Sequence, residues 1–320
     1  MNLVSIRKLN VSFGQHEGLV QAVRGVDLHV DAGESLGIVG ESGSGKSVTC
    51  MAVMRLLRQP PAIISAERLE LAGVDVLTAD EKTLSMMRGR VVSMIFQDPM
   101  TAFDPVFTIG HQIVETIQAH RKLKKKQAIT EAQELLELVE IKNAKEVLGQ
   151  YPHQLSGGML QRAMIAMALS CRPQVLFADE PTTALDVTIQ AQILQLIKKL
   201  QADLGMGLVM VTHDLGVVAE TVDRVVVMYG GKVMEQAPVQ DIFDDPKHPY
   251  TQALLKSMPG QAGGKRRLTE IKGSSPNPAN PPTGCPFHPR CQVSDAACEQ
   301  AMPPFETIAK NRQAACWRLS

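Results

Sequence analysis

The sequence predicts an α/β protein, and three observations carry the prediction. Short apolar runs of strand length alternate with longer segments of helical period. One run leads through a glycine-rich turn directly into a helical segment. Strand-length runs return after the long helical stretches, and strands alternating with helices imply an α/β sheet.

Residues 1–38 alternate apolar and polar and read as strands at Leu3 to Phe13, Ala22 to Val30 and Ser35 to Val39. After the glycine-rich turn, Lys46 to about Leu57 reads as a helix. Ala66 to Val76 reads as a hairpin about Gly73, and Val91 to Phe96 as a strand. From Thr108 to Ser170 the pattern is helical. Within it Arg121, Lys122, Lys124, Lys125 and Lys126 cluster, which fits a solvated helix end or loop, or a contact with a membrane surface or partner. Val175 to Ala178 is a short apolar strand, Thr188 to Leu204 an amphipathic helix, and Leu208 to Val211 another strand. Val225 to Glu235 reads as an edge hairpin turning at Gly230-Gly231. Ser274 to Pro282, rich in proline and asparagine, reads as a linker.

The 320 residues carry 33 basic and 33 acidic side chains, with 44% hydrophobic and 21% charged residues. That is the composition of an ordinary globular chain, and zero net charge disfavours a general nucleic-acid binder. The N-terminus lacks the apolar core of a secretion signal, and no run approaches the roughly 18 apolar residues that span a bilayer. A cytosolic chain that reaches a membrane only through a partner is the expectation. Cys50 and Cys171 fall in apolar helical runs and read as core thiols. Cys285, Cys291, Cys298 and Cys316 crowd the tail. In a reducing compartment such clustering points to metal rather than disulfide.

Gly40-Glu41-Ser42-Gly43-Ser44-Gly45-Lys46-Ser47 matches the phosphate-binding loop pattern in full, between a predicted strand and a predicted helix. Its glycines let successive N–H groups curl around phosphate oxygens. Lys46 is placed for the β- and γ-phosphates and Ser47 for Mg²⁺. Asp179 and Glu180 close an apolar strand, where ligands of open α/β sheets bind. Asp179 suits Mg²⁺ through its water shell, and Glu180 suits polarising the attacking water. Gln97 and His213 each end a predicted strand; a lone glutamine or histidine is uninformative without context. Leu155-Ser156-Gly157-Gly158 reads as a serine-capped helix start whose N–H groups form a second anion site. No internal repeat supplies a second phosphate loop to go with it.

The ordered set of GESGSGKS at 40–47, Gln97, LSGGM at 155–159, FADEP at 177–181, Ala184-Leu185-Asp186 and His213 resembles the ATP-binding-cassette ATPases over residues 1 to about 245. The resemblance implies a P-loop core with an antiparallel β subdomain and a helical subdomain at about 98–170. It implies two nucleotide domains that dimerise head to tail, each ATP lying between the phosphate loop of one and the LSGG helix of the other. Ser156, Gly157 and Gly158 then serve the partner's ATP, and Asp186 lies at the seam. Gly40, Ser42, Gly43, Ser44, Gly45, Lys46 and Ser47 bind nucleotide; Ser47, Gln97 and Asp179 bind Mg²⁺; Glu180, Gln97 and His213 are catalytic. Phe13 matches the residue that stacks on adenine, with a core role as the alternative.

His248-Pro249-Tyr250-Thr251-Gln252-Ala253-Leu254-Leu255 and the cysteine-bearing tail at 246–320 are similar to the extension of dipeptide/oligopeptide importer ATPases. This implies ATP-driven import of di- or oligopeptides, with nickel or another small solute as alternative cargo. A non-transport ATPase of the same family is the less favoured alternative, and an ATP switch without hydrolysis is disfavoured by the intact Glu180 and His213. Expected partners are a second, non-identical ATPase, two transmembrane permeases and an extracytoplasmic binding protein, at the cytoplasmic face of the membrane. The tail spacing Cys-x5-Cys-x6-Cys-x17-Cys fits either Zn²⁺ or an iron–sulfur cluster. The resemblance favours [4Fe–4S] on Cys285, Cys291, Cys298 and Cys316, with Zn²⁺ or unligated thiols as the alternatives.

Overall fold

Strands and helices alternate as expected in a computed structural model, which describes residues 2–15, 18–183, 185–258 and 270–319. Ala184 of the Ala-Leu-Asp motif lies outside the described residues. The chain opens with β1 (Asn2–Gln15), β2 (Gly18–Asp31), β3 (Ser35–Val39) and α1 (Lys46–Val53). Next come β4 (Ala62–Ser65), β5 (Arg68–Leu71), β6 (Val74–Asp75), α2 (Glu81–Met87) and β7 (Val92–Ile95). A helical run follows: α3 (Pro99–Ala102), α4 (Ile109–His120), α5 (Lys125–Leu138), α6 (Ala144–Val147) and α7 (Gly157–Leu169). Then β8 (Val175–Asp179), α8 (Val187–Leu204), β9 (Gly207–Thr212), α9 (Leu215–Thr221), β10 (Arg224–Tyr229) and β11 (Lys232–Pro238) alternate. The end of the chain forms α10 (Val239–Asp244), α11 (Pro249–Lys256), α12 (Ala296–Gln300), β12 (Glu306–Ala309) and β13 (Arg312–Ala314). Helix α1 is shorter than expected, because Arg55 turns to φ 49° just past its cap Met54.

The chain packs as two compact units. One comprises Asp31–Glu34 and Ala79–Val209. In it β7 and β8 pair in parallel with Ile95 opposite Ala178, and every residue of β8 is buried. Such a strand must be apolar on both faces, which is why it reads as a continuous run. Helices α4, α5 and α7 pack on one another, and α7 packs on β7. Arg121 ends α4 and pairs with Glu131, while Lys122, Lys124, Lys125 and Lys126 are exposed, as a solvated helix end predicts. Cys171 is buried, as expected of a core thiol.

The other unit comprises Asn2–Val30, Ser35–Thr78 and Met210–Ser320. Its antiparallel sheet runs β2-β1-β5-β6, with β4 also on β1, and α1 lies against β1 and β5. Strand β3 pairs in parallel with β10, and all five of its residues are buried. The hairpin β10–β11 is not an edge. All six residues of β10 are buried, and β11 is paired on its far side by β13, which pairs β12. The expected linker at 274–282 holds no helix or strand, but it is tied down. Gln21 N–H donates to Pro278 O at 3.0 Å, and Pro276 and Pro286 sit against Gly230, where a Cβ would lie 3.1 and 2.9 Å from them. Tyr229, Tyr250 and Phe287 pack ring against ring, with centroids 4.5 to 5.3 Å apart.

The His-Pro-Tyr motif anchors this region. Glu235 on β11 accepts from the N–H groups of Lys247 and His248, both at 2.8 Å, and His248 Nδ1 caps α11 by accepting from Tyr250 N at 3.0 Å. Burial lowers the His248 pKa to about 4, opposed by a hydrogen bond to the Ala315 backbone. The folded state favours the neutral ring, so this stability is complete above the unfolded pKa near 6.5 and is lost as pH falls from there towards 4. The loss amounts to about 3 kcal/mol. Denaturation of the full chain at pH 7 and pH 4.5 tests it: the drop between the two should be shallower in His248→Asn than in the unsubstituted chain.

Candidate functional site

The phosphate loop is built so that only glycine fits at two points. Gly40 follows β3 at φ 153°, where a Cβ would lie 2.1 Å from Met228 O on β10. Gly45 caps α1 at φ 98°, where a Cβ would lie 2.5 Å from Ala22 O on β2. Between them the chain curls around its own lysine. Lys46 Nζ donates to Gly40 O at 2.8 Å and to Glu41 O at 3.0 Å. Ser44 Oγ is buried without a hydrogen-bond partner. A buried orphan hydroxyl in a loop that also carries a lysine ammonium fits an anionic oxygen, since leaving its hydrogen bond unmade carries a desolvation cost. Ser42 and Gly43 are exposed and Ser47 is half-buried. In the same unit His213 is exposed just beyond β9, before Asp214 caps α9 by accepting from Gly216 N at 2.8 Å. Phe13 lies on β1 opposite Ala62 of β4 and is half-buried rather than a core residue.

In the other unit the parallel register of β7 and β8 brings Gln97 and Glu180 together, each two residues beyond a paired position. Gln97 Nε2 donates to Glu180 Oε2 at 2.8 Å, and Thr183 Oγ1 donates to the same oxygen at 2.9 Å. Glu180 holds φ 46°, a left-handed backbone that a non-glycine residue keeps only when its surroundings impose it. Asp179 is buried beside it. A carboxylate oriented by two neutral donors at the carboxyl end of a strand is equipped to accept a proton from water. Thr183 and Gln161 had no signal in the sequence: Thr183 reaches Glu180 three residues back, and Gln161, whose buried Nε2 donates to Pro181 O at 2.5 Å, acts on a segment the fold brings near.

The LSGG segment starts α7. Ser156 Oγ accepts from Met159 N at 3.4 Å as the helix cap, and Ser156 and Gly157 are exposed. A Cβ on Gly158 would lie 3.0 Å from Ile189 Cγ2 of α8. Asp186 caps α8, accepting from Ile189 N at 3.0 Å. Ser156, Gly157, Gly158, Arg162 and Asp186 line a hollow of about 850 Å³ within this unit, in the range of ligand sites.

Comparison with known proteins gives a consistent result. Residues 23–183 match the family model described as ABC transporter, and residues 234–298 match that described as oligopeptide/dipeptide transporter, C-terminal region. The chain is 48% identical to a probable peptide ABC transporter ATP-binding protein of Sinorhizobium fredii, over 99% of this chain and 95% of the relative. It is 48% identical to the dipeptide transport ATP-binding protein DppD of Haemophilus influenzae, over 98% of this chain and 94% of the relative. Among solved structures it is similar to the ATP-binding cassette MJ0796, in a dimeric post-hydrolysis state bound to ADP and Pi. The TM-score is 0.66 at 27% identity, covering 74% of this chain and 98% of that one.

The cysteine tail corrects the expectation of an iron–sulfur cluster. Cys285, Cys291, Cys298 and Cys316 do line one cavity, but its volume is about 20 Å³, room for a single water. That does not accommodate a four-iron cluster. Nor do any three of these thiols bring their Sγ atoms within 4.8 Å of one another, as a single Zn²⁺ would require. Burial raises the pKa of Cys285 to about 11 and also raises those of Cys291 and Cys316. The relatives are named for ATP binding and peptide transport alone.

The tightest constraint in the site is testable. Gly40→Ala should destabilise the chain by about 2 kcal/mol or more and weaken nucleotide binding, while Gly149→Ala, with nothing nearer than 3.5 Å, should change neither much. Thermal melts with and without MgATP would decide it.

Proposed function

The chain belongs to the ABC transporter ATPases that carry the oligopeptide/dipeptide transporter C-terminal region, and from that membership we propose how its residues divide the work. It is the ATP-hydrolysing subunit of a peptide importer. The observation that carries this function is the end-to-end match: 48% identity to a peptide transporter ATPase over 99% of the chain, with both family regions in order. The same match favours peptide over nickel as cargo and transport over a non-transport role. A dipeptide carrier is the first choice, on the likeness to DppD.

Residues 1–245 form the ATPase part, with 98–170 as its helical portion, and 246–320 the extension. The loop from Gly40 to Ser47 binds the triphosphate, with Lys46 neutralising the β- and γ-phosphates. The orphan hydroxyl of Ser44 and the glycine-only backbone support that reading. Ser47, Gln97 and Asp179 would hold Mg²⁺, which supplies charge neutralisation to the phosphates when bound. Glu180 accepts the proton of the attacking water, held in place by Gln97 and Thr183. His213 donates to the γ-phosphate, and Phe13 stacks on adenine.

Ser156, Gly157 and Gly158 serve the ATP of a second cassette. One phosphate loop and one exposed LSGG helix per chain support this, as does a structural relative solved as a dimer bound to ADP and Pi. The second cassette is a non-identical ATPase. The pair drives two permease subunits supplied by an extracytoplasmic binding protein, from the cytoplasmic face of the membrane. Among the described residues no helix is long and apolar enough to cross a membrane, so attachment runs through those permeases.

Two substitutions test these roles. Glu180→Gln should bind MgATP normally, lose turnover by about a hundredfold or more, and accumulate an ATP-dependent dimer with its partner cassette on size-exclusion chromatography. Unchanged turnover would remove Glu180 from the role of base. Ser156→Arg should leave ATP binding by the isolated chain intact and abolish that dimer.

A further inference from the structure

The phosphate loop contains a carboxylate. Glu41 lies between Gly40 and Ser42, in a loop whose chemistry is to attract a polyanion. Its side chain is held by the tail. Arg290 Nη1 donates to Glu41 Oε2 at 2.7 Å, and Ser275 Oγ donates to the same oxygen at 2.5 Å. The guanidinium is only 7% exposed and the carboxylate 23%. Arg290 is itself anchored at three further points. Its Nε donates to Lys272 O and its Nη2 to Ile271 O, both at 3.0 Å, and its Nη1 donates to Tyr229 OH at 3.0 Å. The backbone of Glu41 is fixed as well. Its N–H donates to Tyr250 OH at 3.0 Å, and its C=O accepts from Lys46 Nζ at 3.0 Å. The residue on which the phosphate-binding lysine rests is therefore gripped by a tyrosine of α11, a serine of the strap at 274–282, and an arginine beyond it.

We propose that Arg290 is a positioning residue for nucleotide binding: it neutralises Glu41 and holds that carboxylate away from the phosphates. This rests on the reading of 40–47 as the ATP site. The physical reason is charge. A triphosphate entering the loop meets an unpaired carboxylate as repulsion, and a partly buried charge is poorly screened by solvent. With Arg290 in place the pair is neutral, and Lys46 is the loop's one remaining charged side chain. Arginine suits the task because its planar fork satisfies the carboxylate, the phenol and two carbonyls at once, which a lysine does not.

The role predicts a rescue that a merely structural one does not. In the full chain, Arg290→Ala should weaken MgATP binding about tenfold at low salt, read by calorimetry or a fluorescent nucleotide. The loss should shrink as ionic strength rises. Adding Glu41→Gln to Arg290→Ala should recover most of it, because the repulsive charge has gone. The effect of Arg290→Ala in the presence of Glu41→Gln should then be less than about twofold. Arg290→Lys, which keeps charge but not the fork, should fall between. Equal loss with and without Glu41→Gln would show that Arg290 acts only through tail stability, and overturns the proposal. So does unchanged affinity in Arg290→Ala. Absence of ATP binding by the unsubstituted chain would overturn the ATP-site reading and this proposal together.

Discussion

The close approach of the phosphate loop to β10 is the constraint on which the rest of the nucleotide-binding half depends. Gly40 passes so near Met228 O that no side chain fits, so loop and strand are fixed as one piece. Strand β10 is also the parallel partner of β3, which delivers the chain into the loop. The next residue after Met228 is Tyr229, whose ring meets Tyr250 and Phe287 and whose hydroxyl meets Arg290. One buried strand thus sets the loop from below and carries the aromatic cluster that seats the tail. The tail is not an appendage: β13 adds to β11, and Glu235 in that strand caps the segment leading into α11.

Much of this was legible in the sequence. The phosphate loop, the Asp179-Glu180 strand end, the Ser156 cap and the buried strands β3 and β8 are local patterns, and local chemistry dictates them. Misreadings arose where the deciding partner is remote. Val225 to Glu235 reads as an edge only as long as β13, far along the chain, is not seen pairing with it. Ser274 to Pro282 has a linker's composition, yet Ser275 reaches Glu41 across 234 positions. Proline and asparagine report a lack of helix and strand, not a lack of contacts. Glu41 itself passes unnoticed, because the loop pattern leaves that position open.

The cysteines show the converse limit. Their spacing brings four thiols to one small cavity, so the sequence located the cluster of side chains correctly. What spacing does not convey is separation and solvation. Four thiols around a water-sized void, Cys285 and Cys298 buried and Cys291 and Cys316 half-buried, lie among Phe287, Pro303 and Trp317 as packing that happens to be made of sulfur. Cys50 and Cys171 are single instances of the same use.

The grip of Arg290 on Glu41 also orders events in time. Glu41 is made before its partner, which follows 249 positions later in the chain. At ordinary rates of synthesis of about 5–20 residues per second, the interval is roughly 10–50 s. Strand β3 and the loop it carries wait through part of that interval for β10, and through all of it for the arginine. Strands β1, β2 and β5 can pair as soon as they are made, whereas β3 needs the later strand β10 as its parallel partner, and the contact between Arg290 and Glu41 closes only after that.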